Sequence, residues 1–147
     1  DVAFRGPLYD GRDRTAGRVR ISVDRERSEV EVRRELVASR YDDVRPFVVT
    51  ALTPQQVMAD AIRAVMVLGR PRDLYDLWLM HGLGVQADHR LIERTLALDG
   101  MHWHLRDVVG AIDGVQIGWE RDLRHLLPQY VSFETVKDGI VRWLVGV

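Results

Sequence analysis

The sequence predicts an α+β protein, with a small antiparallel sheet from the N-terminal third packed against a C-terminal bundle of about six helices. In residues 1–51, short apolar stretches alternate with polar residues between glycine-containing loops, which is typical of strands. From Thr53 onward, apolar residues recur at steps of three and four, which is typical of helices. The chain has 147 residues, 46% of them hydrophobic, which is enough for one core. We therefore expect two regions, residues 1–51 and 52–147, the second being one compact unit.

The β-rich region contains three predicted strands and a shorter fourth. Residues 2–5 and 18–24 form the first two, and the second of these alternates apolar with polar side chains. Residues 47–51 follow a proline and form the third. The alternating segment 29–32 predicts the additional short strand.

The first helix has a well-marked start and end. Thr53 and Gln56 form a capping box, in which each side chain satisfies a backbone N–H, and Pro54 fits the first helical position. Gly69 ends this helix, because glycine readily adopts the left-handed conformation of a C-cap. A second helix begins at about Arg72.

Four further helices are predicted from apolar periodicity and from their stop signals. The third ends at Gly100, the fourth at the Asp113-Gly114 pair and the fifth before Pro128, and Ser132 caps the sixth. These helices are residues 88–99, 103–112, 119–127 and 132–144.

A compact charged motif opens the second helix. Asp73 and Asp76 lie three residues apart, hence on one face, in the first turns where the helix dipole favours carboxylates. Together with Arg72 they are either a structural helix start with an Arg–Asp pair that braces two helices, or part of a catalytic centre. The residue types leave both interpretations open.

Composition limits the classes of function. The net charge of −1 argues against a strongly basic nucleic-acid surface. Arginines between residues 18 and 34 could follow phosphates, but the interspersed acids favour a solvated mixed-charge face. Because there is no cysteine, disulfides and thiolate zinc sites are excluded. No apolar run is long enough to span a membrane and no signal peptide is present, so we expect no membrane partner and a cytoplasmic location.

Histidine patterns give little support for other sites. His102 and His104 could suggest a metal pair, but their spacing separates the two side chains on a strand or a helix, and no third ligand lies nearby in sequence. Arg72 and His81 are further apart than the Arg-x-His pair that they resemble in HEPN ribonucleases. We therefore predict no metal site in this chain.

The segments that open the helical region resemble a known family. Residues 53–65 resemble a helix that reads Ser-Pro-Glu-Glu-Ile-Leu-Ala-Glu-Lys in the AbiEii-type nucleotidyltransferase toxins of type IV toxin–antitoxin systems. Residues 69–78, Gly-Arg-Pro-Arg-Asp-Leu-Tyr-Asp-Leu-Trp, are similar to the motif that follows it. The resemblance covers essentially the whole chain, and its other segments are residues 4–8, 17–23 and 119–128.

The resemblance implies a chemistry and a set of residues. The family transfers nucleotides from a nucleoside triphosphate to RNA, with tRNA acceptor ends as the suspected target and Mg²⁺ as the metal. It implies catalytic roles for Arg72, Asp73 and Asp76, the last of which would assist proton removal or orient the incoming RNA end. Arg63 and Arg70 are the residues implied for binding nucleotide or RNA.

Several family residues are missing, and their absence has chemical consequences. The Gly-Ser turn and the Asp-x-Asp pair that grip nucleotide and Mg²⁺ are not in the sequence, which begins at Asp1 where the family pattern is already past them. Ser22 stands where the next acid is expected, with Asp24 as a weak substitute, and Ala61 replaces the helix lysine. We therefore expect this chain, alone, to bind neither Mg²⁺ nor a nucleoside triphosphate and to transfer no nucleotide.

Three hypotheses about function remain open. The first is the C-terminal portion of a nucleotidyltransferase, which needs an N-terminal catalytic polypeptide from the same gene or a second one. The second is a non-catalytic module that keeps the fold and binds an antitoxin, a partner chain or RNA. The third is a plain interaction domain related to the family only by descent.

Overall fold

The chain forms two compact units, residues 1–30 and 31–147. The computed structural model describes residues 2–5, 10–12, 17–20, 30–38, 40 and 42–146. In the first unit, strand β1 (Val2–Phe4) pairs antiparallel with strand β2 (Gly17–Val19). The predicted strand 18–24 is thus present up to Val19, and its residues 21–24 lie outside the described part. The functional division at residue 51 stays a prediction.

The second unit begins with a β-hairpin that contributes little to the core. Strand β3 (Val32–Val37) pairs antiparallel with strand β4 (Phe47–Leu52), with Val32 opposite Leu52. The predicted strand at 47–51 is confirmed, whereas the short strand predicted at 29–32 begins only at Val32. None of the side chains of β3 and β4 is buried, so the core of the described residues is helical and not shared with a sheet. The described strands form two separate two-stranded sheets instead of one.

The helical region follows the predicted order, with a correction to the predicted count of about six. Five helices have nine residues or more: α1 (Pro54–Leu68), α2 (Pro71–Gly82), α3 (His89–Ala97), α4 (Leu105–Val115) and α6 (Phe133–Leu144). The predicted helix 119–127 is only a short turn of helix, α5 (Trp119–Leu123), preceded by a 3-10 turn at Gln116–Gly118. Within α5 only the two end residues are buried. Because tertiary packing supplies most of the stability of a short helix, this burial supports little more than one turn.

Helix α4 continues through the Asp113-Gly114 pair that was predicted to end it. Ile112 and Val115 lie on either side of this pair and are both buried. Burial of Val115 outweighs the cost of about 1 kcal/mol for a glycine inside a helix. The Lys137 ammonium on α6 also lies 2.7 Å from a carboxylate oxygen of Asp113.

The core is built around α1 and α2. Helix α1 packs against α2, α3 and α4, and α2 also packs against α5 and α6. Trp119 is almost fully buried, donates its indole N–H to the Val131 carbonyl at 2.9 Å, and meets the Phe133 ring edge-on. In the described part of the chain, no helix has both the length and the apolar character needed to cross a membrane.

A buried amide closes the start of α1. Gln56 is 1% exposed, and its carbonyl oxygen accepts from the Glu31 backbone N–H and from the Arg94 guanidinium, both at 3.3 Å. Its amide nitrogen donates to Asp60 at 3.1 Å and to the Thr95 hydroxyl at 3.3 Å. All the hydrogen-bonding capacity of this side chain is therefore used within the protein. The network joins the hairpin, α1 and α3.

Candidate functional site

The candidate site lies where the chain turns from α1 into α2. Gly69 adopts a positive φ of 57° and its N–H donates to the Val65 carbonyl, which ends α1. Arg70 is extended and Pro71 occupies the first turn of α2, where its fixed φ suits the helix. Pro71 is buried, so the start of α2 is anchored. Helix α2 therefore begins one residue earlier than the predicted Arg72.

Arg70 and Asp73 form a two-point ion pair at the start of α2. The Arg70 Nε donates to one carboxylate oxygen of Asp73 at 2.7 Å, and its Nη2 donates to the other at 3.2 Å. The Asp73 side chain is 12% exposed and the Arg70 side chain 42%. The parallel donors fix the plane of the guanidinium. The Arg–Asp pair anticipated from the sequence is thus formed by Arg70 within one helix start, and it does not bridge two helices.

Arg72 and Asp76 are exposed and lie one helical turn apart on α2. Among the described residues, neither makes a hydrogen bond or an ion pair. Partial removal of water around Asp76 raises the pKa of its carboxyl group above the ordinary value, the negative charge of Asp73 raises it further, and Arg72 opposes both effects. Asp76 is therefore a solvent-accessible carboxylate that binds its proton more tightly than usual.

A cleft of about 180 Å³ separates the start of α2 from α5 and the residues that follow it. Arg70, Pro71 and Arg72 line one side, and Asp122 and Leu126 line the other. The two sides come together at a glycine, Gly118: a Cβ built there would be 3.2 Å from the Asp122 Oδ2 and 3.2 Å from the Pro71 Cγ. Arg121 hydrogen-bonds Asp122 and thereby lowers the pKa of that carboxyl group.

Arg63 lies apart from this group of residues. Its guanidinium forms a two-point ion pair with Asp99, which follows α3, and the Nη2–Oδ1 distance is 2.9 Å. The pair therefore connects α1 to the end of α3, and it does not bring Arg63 to the start of α2. The structure thus brings together Arg70, Arg72, Asp73 and Asp76, but not Arg63. Whether any of these residues binds RNA or takes part in catalysis stays a prediction.

The described residues offer no cluster of three or more His, Asp or Glu side chains that could hold a metal ion. Both carboxylate oxygens of Asp73 are already bound by Arg70, so the acids of α2 do not form a Mg²⁺ site. His102 lies 3.8 Å from Glu93, whereas His104 is the residue before α4. His81 in the last turn of α2 stacks on the Trp143 ring with centroids 5.1 Å apart.

The sequence did not single out every residue of the site. In the sequence, Asp122 and Leu126 are marked only by the family resemblance of residues 119–128. That resemblance assigns no function to either residue. Ser22, at the expected acid position, and Asp24, its weak substitute, lie outside the described residues. Of the arginines between residues 18 and 34, those at positions 25 and 27 also lie outside them, and the other four are described.

Comparison with known proteins identifies the family. No curated protein and no solved structure matched the chain. The family model described as "Nucleotidyl transferase AbiEii toxin, Type IV TA system" matches residues 4–138. Since this match covers most of the 147 residues, the chain belongs to the AbiEii family of nucleotidyltransferase toxins of type IV toxin–antitoxin systems.

Proposed function

We propose that this chain holds the acceptor RNA in an AbiEii-type nucleotidyl transfer and transfers no nucleotide by itself. The observation that supports this most directly is Asp76, an exposed carboxylate without a hydrogen-bond partner among the described residues, next to an equally unpaired Arg72. If Asp76 and Arg72 served only to stabilise the start of α2, we would expect them to form an ion pair, as Asp73 and Arg70 do. We propose that the acceptor is a tRNA end and that the protein acts in the cytoplasm.

Asp76 has the properties of a residue that receives or orients a proton. A general base is most effective when its pKa lies near the working pH, and the pKa of Asp76 is shifted in that direction by partial loss of water. We propose that Asp76 accepts a hydrogen bond from the terminal ribose hydroxyl of the RNA. Arg72, one turn away, would hold the adjacent phosphate.

The residues of this chain do not fit the Mg²⁺ and nucleoside triphosphate that the family implies. Both carboxylate oxygens of Asp73 accept hydrogen bonds from Arg70, and the described residues offer no cluster of three or more His, Asp or Glu side chains that could hold a metal ion. Ala61 stands where a lysine would neutralise the phosphates. We therefore propose that these groups are bound by a polypeptide segment with the Gly-Ser and Asp-x-Asp motifs, from the same gene or another.

The test is to incubate the chain with Mg²⁺, labelled nucleoside triphosphates and total tRNA, and to measure RNA binding in parallel. We expect RNA binding without label transfer. Label transfer by this chain alone would contradict the proposed inactivity. Failure to bind any RNA would contradict the proposed role in holding the acceptor.

A second candidate function is a non-catalytic module that binds a partner chain such as an antitoxin. It is favoured by an apolar groove of about 380 Å³ at the other end of α2, lined by Trp78, Leu79, Gly82 and Leu83. Leu83 is 81% exposed there. If this function holds, Leu83→Asp abolishes co-purification with the partner and leaves RNA binding unchanged.

A further inference from the structure

The walls of the cleft between α2 and α5 include apolar side chains and a carboxylate, which a site for phosphate alone would not need. Pro71 and Leu126 give it apolar surfaces on opposite sides. Asp122, the one carboxylate among the described residues that line it, would repel a phosphate. Its volume of about 180 Å³ is below the range of roughly 300–1,000 Å³ for pockets that enclose whole small-molecule ligands. The cleft is therefore suited to a single flat ring system and not to a complete nucleoside triphosphate.

The guanidinium groups of the cleft suit such a ring. Asp73 holds the Arg70 guanidinium by two hydrogen bonds, so its plane is fixed before any ligand arrives. Guanidinium planes and apolar side chains stack on the faces of nucleobases without regard to sequence. Arg72 lines the same cleft and has no ion pair among the described residues, which leaves its charge available for a backbone phosphate.

The carboxylate adds a preference among bases. Arg121 donates one hydrogen bond to each oxygen of Asp122, and each oxygen keeps a further lone pair. A carboxylate accepts hydrogen bonds from the exocyclic amines of cytosine, adenine and guanine, whereas uracil has no such amine. Gly118 keeps this end of the cleft open, because a side chain there would crowd both Asp122 and Pro71.

We infer that this cleft binds the terminal base of the acceptor RNA and prefers a base with an exocyclic amine over uracil. The inference rests on the proposed function, in which the ribose of the terminal nucleotide reaches Asp76, one helical turn from Arg72 on α2. Asp73 acts here as a positioning residue, because it contacts Arg70 and not the RNA.

The test uses the full chain and three RNA octanucleotides labelled at the 5′ end, which differ only in the last nucleotide: cytidine, uridine or an abasic residue. Fluorescence anisotropy gives each Kd. We expect the cytidine end to bind about tenfold more tightly than the abasic end, from base stacking. We expect it to bind about fivefold more tightly than the uridine end, from the amine contact.

Two variants and two matched controls locate the effect. Leu126→Glu should erase the difference between cytidine and the abasic end, and Asp122→Ala should erase the difference between cytidine and uridine. Leu98→Glu changes another exposed leucine and Asp113→Ala another paired aspartate, both outside the cleft, so both should keep the differences. Circular dichroism melting confirms that each variant is folded.

The outcomes separate the two proposals. If RNA binds but all three ends bind equally, the inference about the cleft is wrong and the proposed function stands. The inference is equally wrong if Leu126→Glu keeps the preference for a base over the abasic end. Equal affinity for the cytidine and uridine ends would refute the preference for a base with an exocyclic amine that we attribute to Asp122. If no octanucleotide binds, the proposed RNA-holding function is wrong and the inference falls with it.

Discussion

Helices α1 and α2 begin in nearly the same way in sequence but very differently in the fold. Each has a proline in its first turn after an extended residue. At α1, the Thr53 hydroxyl accepts the Gln56 backbone N–H at 3.2 Å, and the Gln56 side chain is buried with every polar group satisfied. At α2, no side chain caps the helix, and Arg72 and Asp76 are exposed. A closed helix start contributes stability, whereas an open one leaves charges available for a ligand.

Removal of the buried Gln56 amide at the closed start of α1 should have the largest effect on the free energy of unfolding. Gln56→Ala leaves the Glu31 N–H, Asp60, Thr95 and Arg94 with one hydrogen-bond partner fewer, inside or next to the core. We expect a loss of about 3 kcal/mol in the free energy of unfolding, since unsatisfied buried groups and a cavity both cost energy. Urea denaturation measures this value. Gln116→Ala removes an exposed glutamine and should change it by less than about 0.5 kcal/mol; equal losses would refute a structural role for the network.

The ion pair at the start of α2 should contribute less. Asp73→Ala removes a mostly buried carboxylate from the first turn of α2 and its bond to Arg70. We expect a loss of about 1 kcal/mol, from the helix dipole and the two-point pair. The matched control is Glu120→Ala, which breaks the exposed Glu120–Arg124 pair and should cost at most about 0.5 kcal/mol. A larger loss for Glu120→Ala would show that burial does not set the difference.

Arg72 should affect RNA binding without affecting the fold. Arg72→Gln should leave the free energy of unfolding within about 0.5 kcal/mol, because the side chain is exposed. If Arg72 contacts one phosphate, the plot of log Kd against log salt for single-stranded RNA should flatten by about 0.7. Arg106→Gln, an exposed arginine on α4, is the control and should leave the slope unchanged. An unchanged slope for Arg72→Gln would remove Arg72 from the proposed RNA contacts.

The smallest expected effect is the pH dependence of stability at Asp76. Because the pKa of Asp76 is raised in the fold, the folded state favours the protonated form, and this favourable contribution is lost as pH rises through the folded pKa. Asp76→Asn should therefore be slightly more stable than the natural protein at neutral pH and equal to it below the ordinary carboxyl value of about 3.9.

Asp122 gives the opposite sign and serves as the control for that measurement. The pKa of Asp122 is lowered by its hydrogen bonds from Arg121, so its stabilising contribution is present at neutral pH and is lost as pH falls through the folded pKa. Asp122→Asn should thus be less stable than the natural protein at neutral pH. The same sign for both variants would contradict the contrast between an unpaired and a paired carboxylate.

The caps of two helices and the glycines at two helix ends followed directly from the sequence. Thr53 and Ser132 cap their helices as predicted, and Gly69 and Gly100 have the positive φ values expected at a helix end. The prediction that α4 ends at the Asp113-Gly114 pair was wrong. The stability gained by burying Val115 in the core outweighs the local preference of this pair for a helix end. Strand β3 was mostly missed, since Arg33, Arg34 and Glu35 interrupt its apolar pattern.

The sequence by itself determined the family, the helical core and the place of the charged motif, because capping, periodicity and a linear motif depend on residues within a few positions of one another. Only the tertiary structure decided which charges remain available. It pairs Arg63 with Asp99 and Arg70 with Asp73, and it leaves Arg72 and Asp76 exposed beside a cleft whose other wall is Asp122 and Leu126. The Arg70–Asp73 pair is local, but the Arg63–Asp99 pair and the two walls of the cleft join residues far apart in the chain, so they follow from the packing of α1 against α3 and of α2 against α5.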